Sequence, residues 1–136
     1  EPLARVLANL GVKKAMVVYG QDGLDEISMS APTTVCEVKD GEFLSYVITP
    51  EQFGFTRCSK DELIGGSPQD NAQIALAILK GEKGPRRDAV VLNSAAAIHI
   101  AKGISIEDAI REAQEVIDSG KALAQLEQFA ALTNQE

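Results

Sequence analysis

The chain of 136 residues has no tryptophan, two tyrosines, four phenylalanines, two cysteines and one histidine. With aromatic residues at 4% and hydrophobic residues at 45%, its core has to be assembled from Ala, Ile, Leu and Val, a composition suited to close helix packing. Cys36, Cys58 and the lone His99 cannot supply the four close ligands of a structural zinc site, and two cysteines are no disulfide framework. Both read as ordinary thiols, Cys36 serving as a small hydrophobe inside a strand. His99 has no Ser, Cys or Asp at nucleophile spacing around it and reads as structural. Basic residues are also scarce, 13 against 20 acidic for a net charge of −7. A nucleic-acid partner would need clustered Lys and Arg to displace condensed counterions, so none is expected. The one basic cluster, 80–87, is interrupted by Gly81, Glu82 and Gly84 and reads as an exposed loop whose cations favour a helix C-terminus. No apolar run approaches the ~20 residues that span a bilayer, and no signal-peptide pattern opens the chain. A cytoplasmic protein without a membrane partner is expected.

What is present reads as one α/β domain over 1–136, without repeats or low-complexity segments. Residues 2–10 form a short helix with Leu3, Val6, Leu7 and Leu10 on one stripe, stopped by Gly11. The continuous apolar run 15–19 suggests a strand buried on both faces, as in a parallel sheet. Segments 33–38 and 43–48 flank Asp40-Gly41, a favoured type I′ pair, which sets Lys39 opposite Glu42, Val38 opposite Phe43 and Val35 opposite Tyr46. A helical turn is expected at 50–54, then an irregular stretch over 55–66 in which Gly65-Gly66 marks a sharp bend or close approach. Ser67, Pro68 and Asp70 start a helix running to Lys80 and stopped by Gly81. Asn71, in its first turn, reads as a polar side chain satisfying nearby backbone.

Pro85 opens the next helix, to about Lys102 and Gly103. Its small centre, 93–97, marks it as central, and Asn93 within it needs hydrogen bonds, since an unpaired buried amide costs about 1–3 kcal/mol. Ser105 caps a helix with the stripe Ile106, Ala109, Ile110, Ala113 and Ile117, ending near Ser119-Gly120. Residues 121–132 make the last helix, with Ala122, Leu126 and Phe129 on one side, and 133–136 should fray. The expected sheet is therefore mixed, with at least one parallel strand and an antiparallel hairpin, under four to five helices.

The most informative stretch is Gly20-Gln21-Asp22-Gly23-Leu24-Asp25-Glu26-Ile27-Ser28. It places adjacent carboxylates, Asp25 and Glu26, on a short loop at the carboxyl end of the first strand, where ligands of open α/β sheets gather. Mg²⁺ keeps several waters and is commonly held by one or two protein carboxylates, with substrate phosphates completing its shell. An Asp-Glu pair in a loop is far more often a solvated turn, so the pair alone is weak evidence of a metal.

The same nine residues resemble the G-x-D/E-G-L-D-E-x-S segment of anthranilate phosphoribosyltransferases. Residues 33–38 (TTVCEV) are similar to that family's following strand, 48–55 (ITPEQFGF) to its T-P-E-D-F-G turn, and 63–72 (LIGGSPQDNA) to its L-x-G-G-x-x-x-x-N-A segment. Residues 79–97 and 117–123 are similar to its two late signatures. Matches in this order are far more specific than any one of them.

The resemblance implies the C-terminal part of the large α/β domain of a nucleoside-phosphorylase/phosphoribosyltransferase-type enzyme of tryptophan biosynthesis. The intact enzyme moves the 5-phosphoribosyl group from phosphoribosyl pyrophosphate to anthranilate, releasing pyrophosphate. It implies Mg²⁺ as cofactor, Asp25 and Glu26 as its ligands, no catalytic residue within this chain, and a homodimer for the intact enzyme. The family's Gly-rich G-T-G-G-D loop, its N-x-S-T and K-H-G-N segments and an anthranilate-contacting Arg do not occur in this sequence. A chain beginning Glu1-Pro2 without Met is therefore expected to be roughly the last two-fifths of such an enzyme, inactive alone. Tyr19 stands where the family more often has His, which puts any role of that His in doubt here. Two rival readings stand beside this one: a pyrimidine-nucleoside phosphorylase, disfavoured by Asp25-Glu26 and by Leu92-Asn93, and a non-catalytic binding module of the same fold.

Overall fold

In a computed structural model the chain, described over residues 1–134, folds as three layers. The middle layer is a sheet of three antiparallel strands in the order β1 (Lys14–Gly20), β2 (Thr33–Lys39), β3 (Glu42–Ile48). The hairpin register matches the sequence reading, with Lys39 opposite Glu42, Val38 opposite Phe43 and Val35 opposite Tyr46. Asp40 and Gly41 both take positive φ, 49° and 87°, the geometry a type I′ turn demands.

The expected parallel strand is not among the described residues, because β1 pairs antiparallel with β2 from Lys14 opposite Lys39 to Gly20 opposite Thr33. A continuous apolar run does not reveal the direction of its neighbour. Nor is β1 buried on both faces: most of it is only half-covered and Tyr19 is exposed.

One face of the sheet is covered by α1 (Pro2–Asn9), where Ala4 packs with Cys36 and Val38, and Ala8, Ala15, Val17 and Phe43 close around them. Small alanines let the helix lie close to the strands. The apolar stripe of α1 points the other way, with Leu3 66%, Val6 51% and Leu10 76% exposed. The opposite face carries the main core, in which Val35 and Ile48 meet Val91, Leu92, Ala95 and Ala96 of α3 (Pro85–Lys102). Behind α3 lies α4 (Ile106–Asp118), which buries Ala109, Ile110, Ala113 and Ile117 as its stripe requires.

Helix α2 (Pro68–Leu79) starts at Ser67, whose hydroxyl accepts from Asp70 N, and α5 (Lys121–Thr133) ends the described fold without a fully buried residue. Two 3₁₀ turns, Pro50–Phe53 and Lys60–Leu63, lie between β3 and α2. The second interrupts the stretch read as irregular, and its signal is local: Ser59 and Glu62 form a capping box. Among the described residues no single helix is long and apolar enough to cross a membrane.

Candidate metal and phosphate site

Strand β1 delivers its carboxyl end into a loop, 21–32, that is closed on itself by polar side chains. Asp22 Oδ2 accepts from Ser28 Oγ at 2.9 Å and from Ser30 Oγ. Ser28 Oγ in turn accepts from the amides of Ser30 and Ala31, and the Ser28 amide donates to Thr33 Oγ1 at 2.9 Å. Burial pushes the Asp22 carboxyl up, but the hydroxyls of Ser30 and Ser28 and nearby loop amides outweigh it and hold the group below its ordinary value. Gly20 makes this closure possible, since a Cβ there would stand 2.8 Å from Asp22 Oδ1 and 3.1 Å from Ser28 Cβ.

Beyond its flanking strands β1 and β2, the closed loop is tied to the rest of the fold at three points. Lys60 Nζ donates to the Asp22 carbonyl, and Cys58 N donates to the Met29 carbonyl at 3.0 Å. Asn93 makes the third tie: its Oδ1 accepts from Ile27 N at 2.9 Å, and its Nδ2 donates to the Ile27 carbonyl and to the Ala89 carbonyl, both at 3.0 Å. Beneath the loop Ile27 and Met29 are buried in the core.

Asp25 and Glu26 stand at the tip, immediately before the Asn93 tie. Both are exposed, and among the described residues neither carboxylate has a hydrogen bond or an ion pair. Glu26 lines a hollow of about 400 Å³ with Leu24, Ile74, Arg86 and Val90 among its walls. Asp25 adjoins it on the exposed side of the tip and is not part of its lining. The donor set is of the kind Mg²⁺ takes, two hard carboxylate ligands without protein partners among the described residues, carried on an anchored loop. No third His, Cys, Asp or Glu joins them to make an all-protein cage among the described residues.

Tyr19, at the end of β1, is 54% exposed. Asn71 holds only backbone, its Oδ1 accepting from Gly66 N at 2.9 Å and its Nδ2 donating to the Gly66 carbonyl at 3.3 Å. Its carboxamide fills the space a Cβ on Gly65 would need, so Gly65-Gly66 is a close approach rather than a phosphate cradle.

His99 faces Ile104 O through Nδ1 and Glu37 through Nε2 at 3.5 Å, with Tyr46 donating to the same Glu37 at 2.9 Å. It ties α3 to the sheet. The basic cluster 80–87 is only partly the exposed loop expected. Arg87 is buried and reaches Asp118 Oδ1 at 2.7 Å, because the first turn of α3 is roofed by the end of α4. A second hollow of about 470 Å³ opens beside Lys83, Gly84 and Arg87. The Nε atoms of Arg86 and Arg87 are covered from solvent and have no hydrogen-bond partner among the described residues.

The chain belongs to the glycosyl transferase family, in its a/b domain, which matches residues 1–123. It is 60% identical over 98% of its length to the anthranilate phosphoribosyltransferase of Methanobrevibacter smithii, of which it covers 40%. It superposes on the crystal structure of that enzyme from Thermus thermophilus with a TM-score of 0.86 at 39% identity, covering 96% of this chain and 38% of the other. The Saccharomyces cerevisiae enzyme in complex with PRPP and Mg gives a TM-score of 0.85 at 27% identity, over 93% and 37% of the two chains. The chain thus spans about two-fifths of the length of the curated relatives it matches.

Proposed function

We propose that this chain is the magnesium-bearing segment of an anthranilate phosphoribosyltransferase of tryptophan biosynthesis, acting in the cytoplasm. In the intact enzyme, a homodimer, the 5-phosphoribosyl group passes from phosphoribosyl pyrophosphate to the amino group of anthranilate. The products are N-(5-phosphoribosyl)anthranilate and pyrophosphate. The observation that supports this reading is the pair Asp25 and Glu26, left without protein partners on a loop that is otherwise closely hydrogen-bonded. Two bare carboxylates beside a polyphosphate would repel it, so the pair makes sense only with a divalent cation between them.

As C1 of the ribose loses pyrophosphate, negative charge grows on the departing oxygens. Mg²⁺ bound there supplies a positive charge that stabilises the leaving group. The chain's own part is to hold Asp25 and Glu26 at a fixed height above Ile27 and to keep that tip open to a ligand arriving from outside. The Gly-rich loop and the amine-positioning residues do not occur in these 136 residues. Positioning of reacting atoms is worth about 7–11 kcal/mol, so the chain by itself should not turn over.

The test is the double variant Asp25→Ala/Glu26→Ala in the intact enzyme. Turnover should fall at least about a hundredfold, as when a transition-state charge partner is removed, with its dependence on added Mg²⁺ flattened and circular dichroism unchanged. An unaltered magnesium dependence would remove the metal role. Comparable turnover from the 136-residue chain alone would show that the site is complete without the missing loops.

A further inference from the structure

We infer that Asn93 is a positioning residue for the metal site: its carboxamide clamps the backbone of Ile27 and so fixes where Asp25 and Glu26 present their carboxylates. The inference rests on the reading of that pair as the magnesium ligands. Ile27 N–H donates to Asn93 Oδ1 at 2.9 Å and Ile27 C=O accepts from Nδ2 at 3.0 Å, so both polar groups of one residue next to the acidic pair are held by a single side chain 66 positions away. The remaining Nδ2 hydrogen goes to Ala89 O one helical turn back, at 3.0 Å, which fixes the carboxamide's own orientation.

This arrangement admits only an amide. One end must accept from an N–H while the other donates to two carbonyls, and neither a carboxylate nor a hydroxyl of that length does both. The clamp is also placed on a rigid support, since its neighbours Val91, Leu92, Ala95 and Ala96 are all buried in the core between sheet and α4. The loop's other ties fall elsewhere along it, Gln21 at Thr34, Lys60 at Asp22, Thr33 at Ser28 and Cys58 at Met29. Asn93 alone, among the described residues, grips the residue that follows Glu26. A side chain that orients a ligand-bearing segment without touching the metal typically governs about 10–100-fold in metal affinity.

The experiment compares Asn93→Asp and Asn93→Ala with Asp25→Ala/Glu26→Ala in the intact enzyme by two measurements. The first is rate against Mg²⁺ concentration at saturating substrates. The second is hydrogen–deuterium exchange of residues 24–30 in metal-free protein. Asn93→Asp keeps the shape of the side chain but sets an oxygen against two carbonyl oxygens. The Mg²⁺ needed for half-maximal rate should rise about 10–100-fold, with most of the rate recovered at high Mg²⁺. Residues 24–30 should exchange faster while 33–48 keep their protection.

An unchanged Mg²⁺ requirement in Asn93→Asp, with the double variant strongly impaired, overturns the inference and leaves the metal reading intact. Loss of protection across 33–48 as well would make Asn93 merely structural and also overturn it. If the double variant keeps its Mg²⁺ dependence, it is the metal reading that fails, and the inference falls with it. Should Asn93→Ala not fold, the near-isosteric Asn93→Asp decides alone.

Discussion

Helices α1 and α4 carry the same apolar pattern and meet opposite fates. In α4 the stripe Ala109, Ile110, Ala113 and Ile117 is buried against the core, whereas in α1 Leu3, Val6 and Leu10 stand in solvent and the buried contact is Ala4. The period of 3.6 identifies residues that share a face, but it is silent on whether anything covers that face. Coverage is decided by neighbours. Helix α4 lies behind α3 and has a partner throughout its length, while α1 reaches the sheet through its small residues and leaves the large ones outside. The same division separates two ion pairs. Arg87–Asp118 has one member almost fully enclosed, at 5% side-chain exposure, and Arg57–Glu51 has both in water, at 40% and 49%.

The largest effect that sharpens this contrast belongs to α4. Ile110 is 7% exposed in the main core, and Ile110→Ala should cost about 2–5 kcal/mol by lost transfer energy plus the cavity left behind. Chemical denaturation of the protein measures it, and a loss under about 1 kcal/mol would mean that α4 is not the covered helix described.

Next comes the enclosed ion pair. Asp118 holds Arg87 and also Lys83, at 3.3 Å. Asp118→Ala leaves a buried guanidinium without its counter-charge and should cost about 1–3 kcal/mol. Arg87→Met, which removes the charge and keeps an apolar stem of similar length, should cost less, because replacing a buried charge by apolar volume avoids the uncompensated state. Equal losses from the two variants would show that burial of Arg87 is not what sets the energy.

The third effect is small. Leu3→Ser and Val6→Ser should each change the stability of this chain by no more than about 0.5 kcal/mol. A clearly larger loss in the intact enzyme than in the 136-residue chain would show that the α1 stripe is covered there, and would turn the contrast with α4 into a matter of which residues are present.

These cases also mark what could be read from the residues. The helix from Pro85 to Lys102, the starts at Ser67 and Ser105 and the register about Asp40-Gly41 are written within a few positions of where they act, as caps, stops and turn chemistry. The antiparallel pairing of β1, the burial of Arg87 and the outward stripe of α1 depend on partners far along the chain, and no local pattern encodes them. The candidate site divides in the same way. Asp25 and Glu26 are visible through their loop, and Asn93 is visible as a polar residue in need of partners. That its partner is Ile27, 66 positions back, follows only from the fold. Asp22, Ser28 and Ser30 are the members that sequence reasoning missed, although an Asp followed by two serines within a Gly-bounded loop is a recognisable pattern of side chain to backbone closure.

The smallest effect is the exposed pair, and it concerns pH. Arg57 Nε donates to Glu51 Oε1 at 2.8 Å and Nη2 to Oε2 at 3.2 Å, a two-pronged grip. The hydrogen bond from Arg57 is the chief cause holding the Glu51 carboxyl down from 4.5 to about 2. A carboxyl lowered on folding contributes stability that is fully present above its ordinary value and is lost as pH falls, here between about 4.5 and about 2. Both groups are in water, so screening keeps the contribution slight, and salt should erase much of it. Arg57→Ala is therefore expected to lower the melting temperature near neutrality only slightly and to make the acid decline shallower, so that the two proteins converge as pH falls toward about 2. Melting curves of both proteins from about pH 7 to about pH 2, at low and high salt, read this directly. If Arg57→Ala lowers the melting temperature near neutrality as much as Asp118→Ala does, then enclosure is not what distinguishes the two pairs, and the contrast drawn from α1 and α4 does not extend to charge.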